Sequence, residues 1–584
     1  MIRRTDINMK LTKYLKPYWL FTLLTPLAMV GEVLVDLFQP KLMAKIVDDG
    51  VIAGNMELII HTGIMMMLLI CLGGLCGVGS AAFSGIASQG FARDLRNDTF
   101  KRVMGLSFEQ TDKFTTGSLV TRLTNDITQV QQFVDFALRM LVRDTILFVG
   151  GITMMLSLNI NFGLVLVCAL PVEMIFMLIL IKKANPIYGI VQKKLDKVNS
   201  VVQENVAGAR VVKAFVREEH ESERFDKANV DLMQTNLKVQ RIMSILNPLL
   251  MIVMNLSVIA IILIGGFQVE AGEMKVGEIM AAITYITQIL FGIMMISMMF
   301  QLISRAHASA KRISEVLFTE PVIKSGSYVS EDNKGGTVSF KNVSFKYPGT
   351  NGDPVIKNLS VDIKSGENFA ILGATGSGKS SLINLIPRFY DADEGEVLVD
   401  GVNVKDYDID CLRKKIGMVL QKSELFSGTV SENIGWGDKN ASREEIERAA
   451  KIAQADEFVS LMPAGYDGYI AEKGASLSGG QKQRLSIARS ILKKPEILIF
   501  DDSTSALDLG TESRLEKALN ENLKEITVIK IAQRIASVMN CDRIAVLEHG
   551  SLCAIGTHEE LLKTSDVYRD IYNSQMKSSG EGEK

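Results

Sequence analysis

Six long apolar runs crowd the first half of the 584-residue chain and are missing from the second half. They fall at roughly 18–46, 58–87, 136–158, 160–182, 242–267 and 276–303. Crossing about 30 Å of hydrocarbon takes about 20 apolar helical residues, so the pattern predicts six spans. The last 250 or so residues are charged and punctuated by turns. Mean hydropathy is +0.19 over the whole chain, and one ordinary core does not accommodate this length. A helical membrane domain is therefore expected over 1–308, a linker over 309–335 and a second, α/β domain over 336–584.

The connectors set the orientation. The short ones, 48–57, 157–161 and 268–275, hold one lysine and no arginine. The long ones, 88–135 and 183–241, are rich in both, including Arg93, Arg96, Lys193 and Arg210. The positive-inside rule puts both termini in the cytoplasm, with the chain in the cytoplasmic membrane. Leu119, Leu123, Ile127, Val130 and Val134 recur at helical spacing, so the long connectors read as membrane helices continuing into the cytosol. The basic N-terminus lacks a small-residue cleavage site, which argues against a removable leader. Net charge is −2 and does not point to a nucleic-acid partner. Six scattered cysteines show no metal-ligand spacing.

Charges at membrane depth are expensive and commonly face a cavity or a partner. Glu32 and Asp36 share a face of the first span, Arg139, Arg143 and Asp144 lie in the third, and Glu173 lies in the fourth. Two readings stand open: the arginines snorkel and the acids pair internally, or Glu32, Asp36 and Glu173 line a substrate path. The methionine-rich FGIMMISMMF, in a chain with 28 methionines, suits either an adaptable binding wall or simple gap filling. LGGLCGVGSAAFSG reads as close helix packing.

In the second half, FAILGATGSGKSSLINLI is an apolar strand, a glycine-rich loop and a helix. Gly373, Gly378, Lys379 and Ser380 satisfy G-x-x-x-x-G-K-[ST]. Backbone N–H groups from Gly373 through Ala374, Thr375, Gly376, Ser377 and Gly378 to Ser381 would wrap phosphates. Lys379 would reach the β- and γ-phosphates, and the Ser380 hydroxyl would bind Mg²⁺. ATP and Mg²⁺ are the expected cofactors. Some 120 residues on, the apolar strand of ILIFDDSTSALD ends in Asp501 and Asp502, with Asp501 the natural Mg²⁺ partner of a phosphate-loop ATPase.

Between them stands LSGGQ: Leu477, Ser478, Gly479, Gly480 and Gln481, ahead of a basic amphipathic helix. With these motifs in this order the chain resembles the ATP-binding cassette family, as an exporter-type half-transporter covering nearly its whole length. The resemblance makes Gln421 the Q-loop residue beside Mg²⁺, Tyr347 the adenine-stacking aromatic, and Ser505, Ala506, Leu507 and Asp508 the D-loop. It implies a dimer in which each ATP is clamped between one chain's phosphate loop and the other's signature.

Two positions depart from the family pattern. The residue after Asp501 is normally a glutamate that polarises the attacking water. Here Asp502 is one methylene shorter. The usual switch histidine is replaced by Gln533 in VIKIAQRIAS. An amide hydrogen-bonds but takes up no proton, and none of the five histidines is placed to substitute. With LSGGQ intact, the pattern resembles the degenerate-site subunit of a heterodimeric multidrug-type exporter. Its partner is expected to carry the competent glutamate and histidine with an altered signature. The implied activity is ATP-driven efflux of amphipathic, drug-like or lipid-like substrates; import by the same architecture and an ATP-gated regulatory subunit are the alternatives.

Overall fold

The structure, a computed structural model, describes residues 11–330, 335–504 and 506–580, apart from the side chains at 293–298, 300, 301, 509 and 576–580. Most of FGIMMISMMF and the D-loop residue Ser505 thus lie outside the described residues. The chain divides into two compact units. One comprises residues 1–104 and 117–318, and the other comprises 105–116 and 319–584.

The first unit is helical. Its apolar runs become α1 (Trp19–Lys45), α2 (Met56–Met104), α3 (Val142–Leu158), α4 (Phe162–Ala207), α5 (Leu246–Glu270) and α6 (Val276–Leu317). Among the described residues five helical stretches are long and apolar enough to cross a membrane, and a sixth, Val276–Gly292, is a shorter apolar stretch. The expected count of six is thus met only in part. α2 and α4 run 49 and 46 residues, at about 1.5 Å per residue far longer than a bilayer is thick. Val33, Leu37, Met155, Phe162 and Ile289 form part of the apolar core, and the buried Tyr285 hydroxyl donates to the Leu37 carbonyl at 2.6 Å.

The long connectors are less uniform than their periodicity predicts. Among the described residues π-helical turns occur at Ile46–Val51, Arg122–Asp126 and Ala137–Leu141, the second of them inside a long connector. The second carries an ionic cluster. Asp126 is 2 % exposed and accepts hydrogen bonds from Ser309 Oγ and Arg312 Nε, both at 2.8 Å. Arg122 donates to the Arg312 carbonyl at 2.7 Å. A π turn admits one extra residue, which re-aims its neighbours. The even helical spacing read from the sequence gave no sign of it.

The second unit is built on a six-stranded sheet in the order β12 (Ser551–Gly556), β11 (Arg543–Glu548), β3 (Asn368–Gly373), β10 (Thr527–Ala532), β9 (Ile497–Asp501), β6 (Ile416–Val419). All neighbours are parallel except the edge pair β11–β12. Strands covered on both faces read as unbroken apolar runs, which is why Phe369–Leu372 and Ile497–Phe500 are fully buried. Both end, at their carboxyl edge, in the residues expected to meet nucleotide. An antiparallel sheet of β2 (Ile356–Ile363), β1 (Val338–Phe345), β4 (Glu394–Val399) and β5 (Val402–Asn403) joins the same core, and β7 (Gly428–Thr429) pairs with β8 (Tyr469–Ile470) as a separate ribbon.

The predicted linker is not a loose tether. α6 runs helically to Leu317, and the following segment is laced to the nucleotide unit. Gly326 N–H donates to the Tyr407 carbonyl at 2.8 Å and Tyr328 N–H to Asp406 at 2.9 Å. Arg388 donates to the Lys324 carbonyl at 2.9 Å. The short helix Phe108–Phe114 also belongs to this unit, although the sequence placed it within a continuous helical connector. Phe108 packs on Phe389 with ring centroids 4.4 Å apart, and Tyr390 donates to Asp112 at 2.7 Å. Gln110 Nε2 donates to the Glu320 carbonyl at 2.6 Å.

Candidate functional site

The phosphate loop closes β3 and opens the helix Lys379–Asn384. Gly376 and Gly378 hold φ of +83° and +97°, a region glycine enters without steric penalty. Lys379 is buried, and its Nζ donates to the Gly373 and Ala374 carbonyls, each at 2.8 Å. Burial pulls the Lys379 ammonium below its usual range, against the charges of Asp502 and Asp501. Ser377 Oγ is buried with no hydrogen-bond partner among the described residues. A cation, an orphaned hydroxyl and a glycine-shaped loop suit an anion with many acceptor oxygens. The residues fit a nucleotide phosphate chain.

Ser380 Oγ donates to Asp501 Oδ1 at 2.7 Å. Hydroxyl and carboxylate oxygens side by side are the donors a hard divalent cation takes, so the pair also fits Mg²⁺. Asp501 is buried at the end of β9, and burial, aided by the neighbouring Asp502 charge, pushes its carboxyl above the usual range. Ser380 and Lys379 oppose that shift.

Asp502 turns out of the strand in the left-handed region, φ +47°, which aspartate tolerates better than most side chains. Its Oδ2 accepts from Gln533 Nε2 at 2.9 Å and from Gln421 Nε2 at 3.4 Å. Gln533 Oε1 in turn accepts from Thr375 Oγ at 3.3 Å. The two residues that depart from the family pattern are therefore bonded to each other, and Thr375 ties them to the phosphate loop. Sequence reading counted Thr375 only for its backbone, because nothing local marks a hydrogen bond to a residue 158 positions away.

Tyr347 is half-buried beside the loop. Its hydroxyl shares a 3.0 Å hydrogen bond with Ser381 Oγ, and its ring packs edge-on against Phe345 and Tyr390.

The signature starts the helix Gly479–Leu492, with Ser478 as N-cap. Ser478 N–H donates to Gln481 Oε1 at 2.9 Å while Ser478 Oγ accepts from Gln481 N–H at 3.4 Å, a reciprocal capping box. Gln481 thus fixes the helix end. Ser478 and Gly479 are exposed there, Gly480 is half-buried, and Leu477 packs into the core beneath. In the D-loop, Ala506 is exposed, Leu507 is buried, and Asp508 caps the next helix by accepting from Thr511 N–H at 2.9 Å.

In the membrane unit the acids of the first span do pair internally. Arg143 lies between them, its Nη2 3.3 Å from Asp36 and its Nε 3.6 Å from Glu32. One of the two open sequence readings had Arg143 snorkelling at the boundary. The structure makes it the counter-ion. Glu173 is 2 % exposed, and its Oε2 has no hydrogen-bond partner among the described residues.

Residues 22–294 match the ABC transporter transmembrane region, and residues 356–505 match the ABC transporter ATPase family. The chain is 40% identical over 571 residues to the uncharacterized ABC transporter ATP-binding protein YfiB of Bacillus subtilis, covering 98% of this chain and 99% of that one. It is 30% identical to an ATP-dependent lipid A-core flippase of Syntrophus aciditrophicus, covering 100% and 96%. A bacterial Atm1-family ABC exporter solved with ATP bound shares its fold, with TM-score 0.78 and 26% identity over 96% of this chain and 98% of that one. With a membrane region, a phosphate-loop ATPase and these relatives matched along their full lengths, the chain belongs to the ABC transporters, as an exporter-type half-transporter that couples ATP to transport.

Proposed function

We propose that this half-transporter works as one side of a heterodimer, and that its own nucleotide pocket holds ATP and cleaves it slowly. The reading rests on one observation: the carboxylate at 502 is an aspartate, hydrogen-bonded at 2.9 Å by the amide of Gln533. Relative to glutamate, the shorter side chain draws the carboxylate back by about 1 Å, a displacement of the order that lowers rates by about 10²-fold. Gln533 supports a γ-phosphate by hydrogen bonding and has no proton to exchange. Bound Mg²⁺, held by Ser380, Gln421 and Asp501, would neutralise phosphate charge. Lys379 would fix the β- and γ-phosphates, Ser377 and the loop amides the remaining oxygens, and Tyr347 the adenine.

The exposed Ser478–Gly480 end serves the other pocket, where the partner half-transporter supplies a glutamate and a histidine. Closure of the two cassettes drives alternating access of the membrane unit, with α6 as its sixth span and both termini in the cytoplasm. The cargo is an amphipathic, drug-like or lipid-like molecule carried out across the cytoplasmic membrane. The relative described as a lipid A-core flippase supports a substrate with apolar bulk.

ATPase measurement on the chain purified alone tests this. The expected turnover lies about 10²-fold below that of the assembled transporter, with intact ATP recovered from the Lys379 pocket. Brisk turnover of the chain alone, abolished by mutating LSGGQ, would falsify the heterodimeric reading.

A further inference from the structure

Glu173 belongs to the buried stripe of α4 formed by Ala169, Glu173, Met177 and Leu180. Eleven residues separate it from Phe162, the first residue of the helix, a rise of about 16 Å. That is half of a hydrocarbon layer about 30 Å thick. At this depth the side chain is 2 % exposed, and its Oε2 is buried with no hydrogen-bond partner among the described residues. Glu32 and Asp36 share Arg143 as an ion-pair partner, although Glu32 Oε2 too lacks a hydrogen bond, and Asp126 is held by Arg312 and Ser309. A carboxylate kept in hydrocarbon without a counter-ion faces a large desolvation penalty and marks a functional group by default.

Three features narrow the occupant. Among the described residues no group of three or more His, Cys, Asp or Glu could hold a metal ion, and a hard divalent cation takes six or more oxygens. The neighbours one turn away, Ala169 and Met177, are apolar, which suits a cation sheathed in hydrocarbon rather than a hydrated one. Pro171, inside the helix two residues before the acid, has no N–H to give the Val167 carbonyl. The missing bond marks a point at which a helix bends more easily.

We propose that Glu173 binds the positively charged centre of the transported amphipath. The inference deepens the proposed export function and rests on it. It places the cation at Glu173 rather than at Glu32 and Asp36, which share Arg143.

Tetraphenylphosphonium, with the neutral triphenylphosphine oxide as comparator, tests the assignment by equilibrium binding to the purified full chain in lipid nanodiscs. Glu173→Gln is expected to weaken tetraphenylphosphonium binding about tenfold, with Glu173→Asp retaining most of it and neither variant changing binding of the oxide. Absent phosphonium binding by the unmodified chain overturns the assignment. So does equal binding by Glu173→Gln, the result expected if the carboxyl only carries a proton. Equal loss of both ligands overturns it as well, since a packing role would produce that. ATP turnover of the chain alone is read separately. Fast hydrolysis there sinks the heterodimer without touching Glu173, and a missing phosphonium preference does the reverse.

Discussion

The phosphate-loop pocket and the signature end lie in one unit and have kept different things. In the pocket the binding parts are intact: Lys379 and Ser380 sit against the loop and Asp501. What is changed is the pair that would handle the attacking water, Asp502 and Gln533, now bonded to each other. At the signature end nothing is changed, and the Ser478–Gln481 cap presents an exposed helix N-terminus. Exposed backbone N–H groups at such a terminus favour an anion. On the proposed reading, a pocket slow to cleave its ATP would leave the signature with little to do if both regions acted on the same nucleotide. The contrast makes sense when the two regions serve different pockets.

The sharpest way to break this contrast is Ser478→Arg, which fills the anion-binding end with a bulky cation. In the assembled transporter turnover should fall by about 10²- to 10³-fold, the range for losing a preorganised electrostatic contact. Binding of a fluorescent ATP analogue to the Lys379 pocket of the chain alone should not change. Surviving turnover would mean that this signature serves no hydrolytic pocket. Next in size is the double change Asp502→Glu, Gln533→His. It should raise ATPase of the chain alone by about 10- to 100-fold, read by phosphate release. No gain would place the deficit elsewhere than in the two departures. A smaller effect is expected from Tyr347→Ala, which removes an aromatic face worth about 1 kcal/mol. ATP affinity should drop several-fold in calorimetry, whereas Tyr347→Phe, which loses only the bond to Ser381, should leave it nearly unchanged.

How much of this was legible in the sequence follows from how local each signal is. The apolar runs and the GATGSGKS loop are contiguous; the loop folds between strand and helix as read, and five helical stretches with a shorter sixth form over the runs. The Ser380–Asp501 contact was legible too, because a strand that ends in an acid after a phosphate loop has few other uses. The pairing of Arg143 was not legible because its partners are 107 residues or more away, and no periodicity reports such a distance. The π turn beneath Asp126 was hidden for the opposite reason: Leu119, Leu123 and Ile127 mimic an undisturbed helix. The break before Phe108–Phe114 did carry a sign. Ser107 and Gln110 have capping-box spacing, the same Ser-x-x-Gln spacing that Ser478 and Gln481 use in the signature.

The least effect expected is on pH, and it separates the two regions by their chemistry. Burial and the Asp502 charge hold the Asp501 carboxyl above its usual range, so it takes up a proton at a higher pH than an exposed aspartate. Only the ionised form helps to hold Mg²⁺. The Mg²⁺-dependent gain in ATP affinity, measured as the difference between Mg²⁺ and EDTA, should therefore shrink on acidification at a higher pH than an ordinary aspartate would give. Asp502→Asn removes the neighbouring negative charge that raises Asp501, so the loss should begin at lower pH in that variant. Ser478, Gly479, Gly480 and Gln481 carry no ionisable side chain, and the contribution of the signature should stay flat over the same acidification. If Asp502→Asn shifts the profile the other way, the two acids do not repel as their adjacency implies, and the pocket is organised around a different charge.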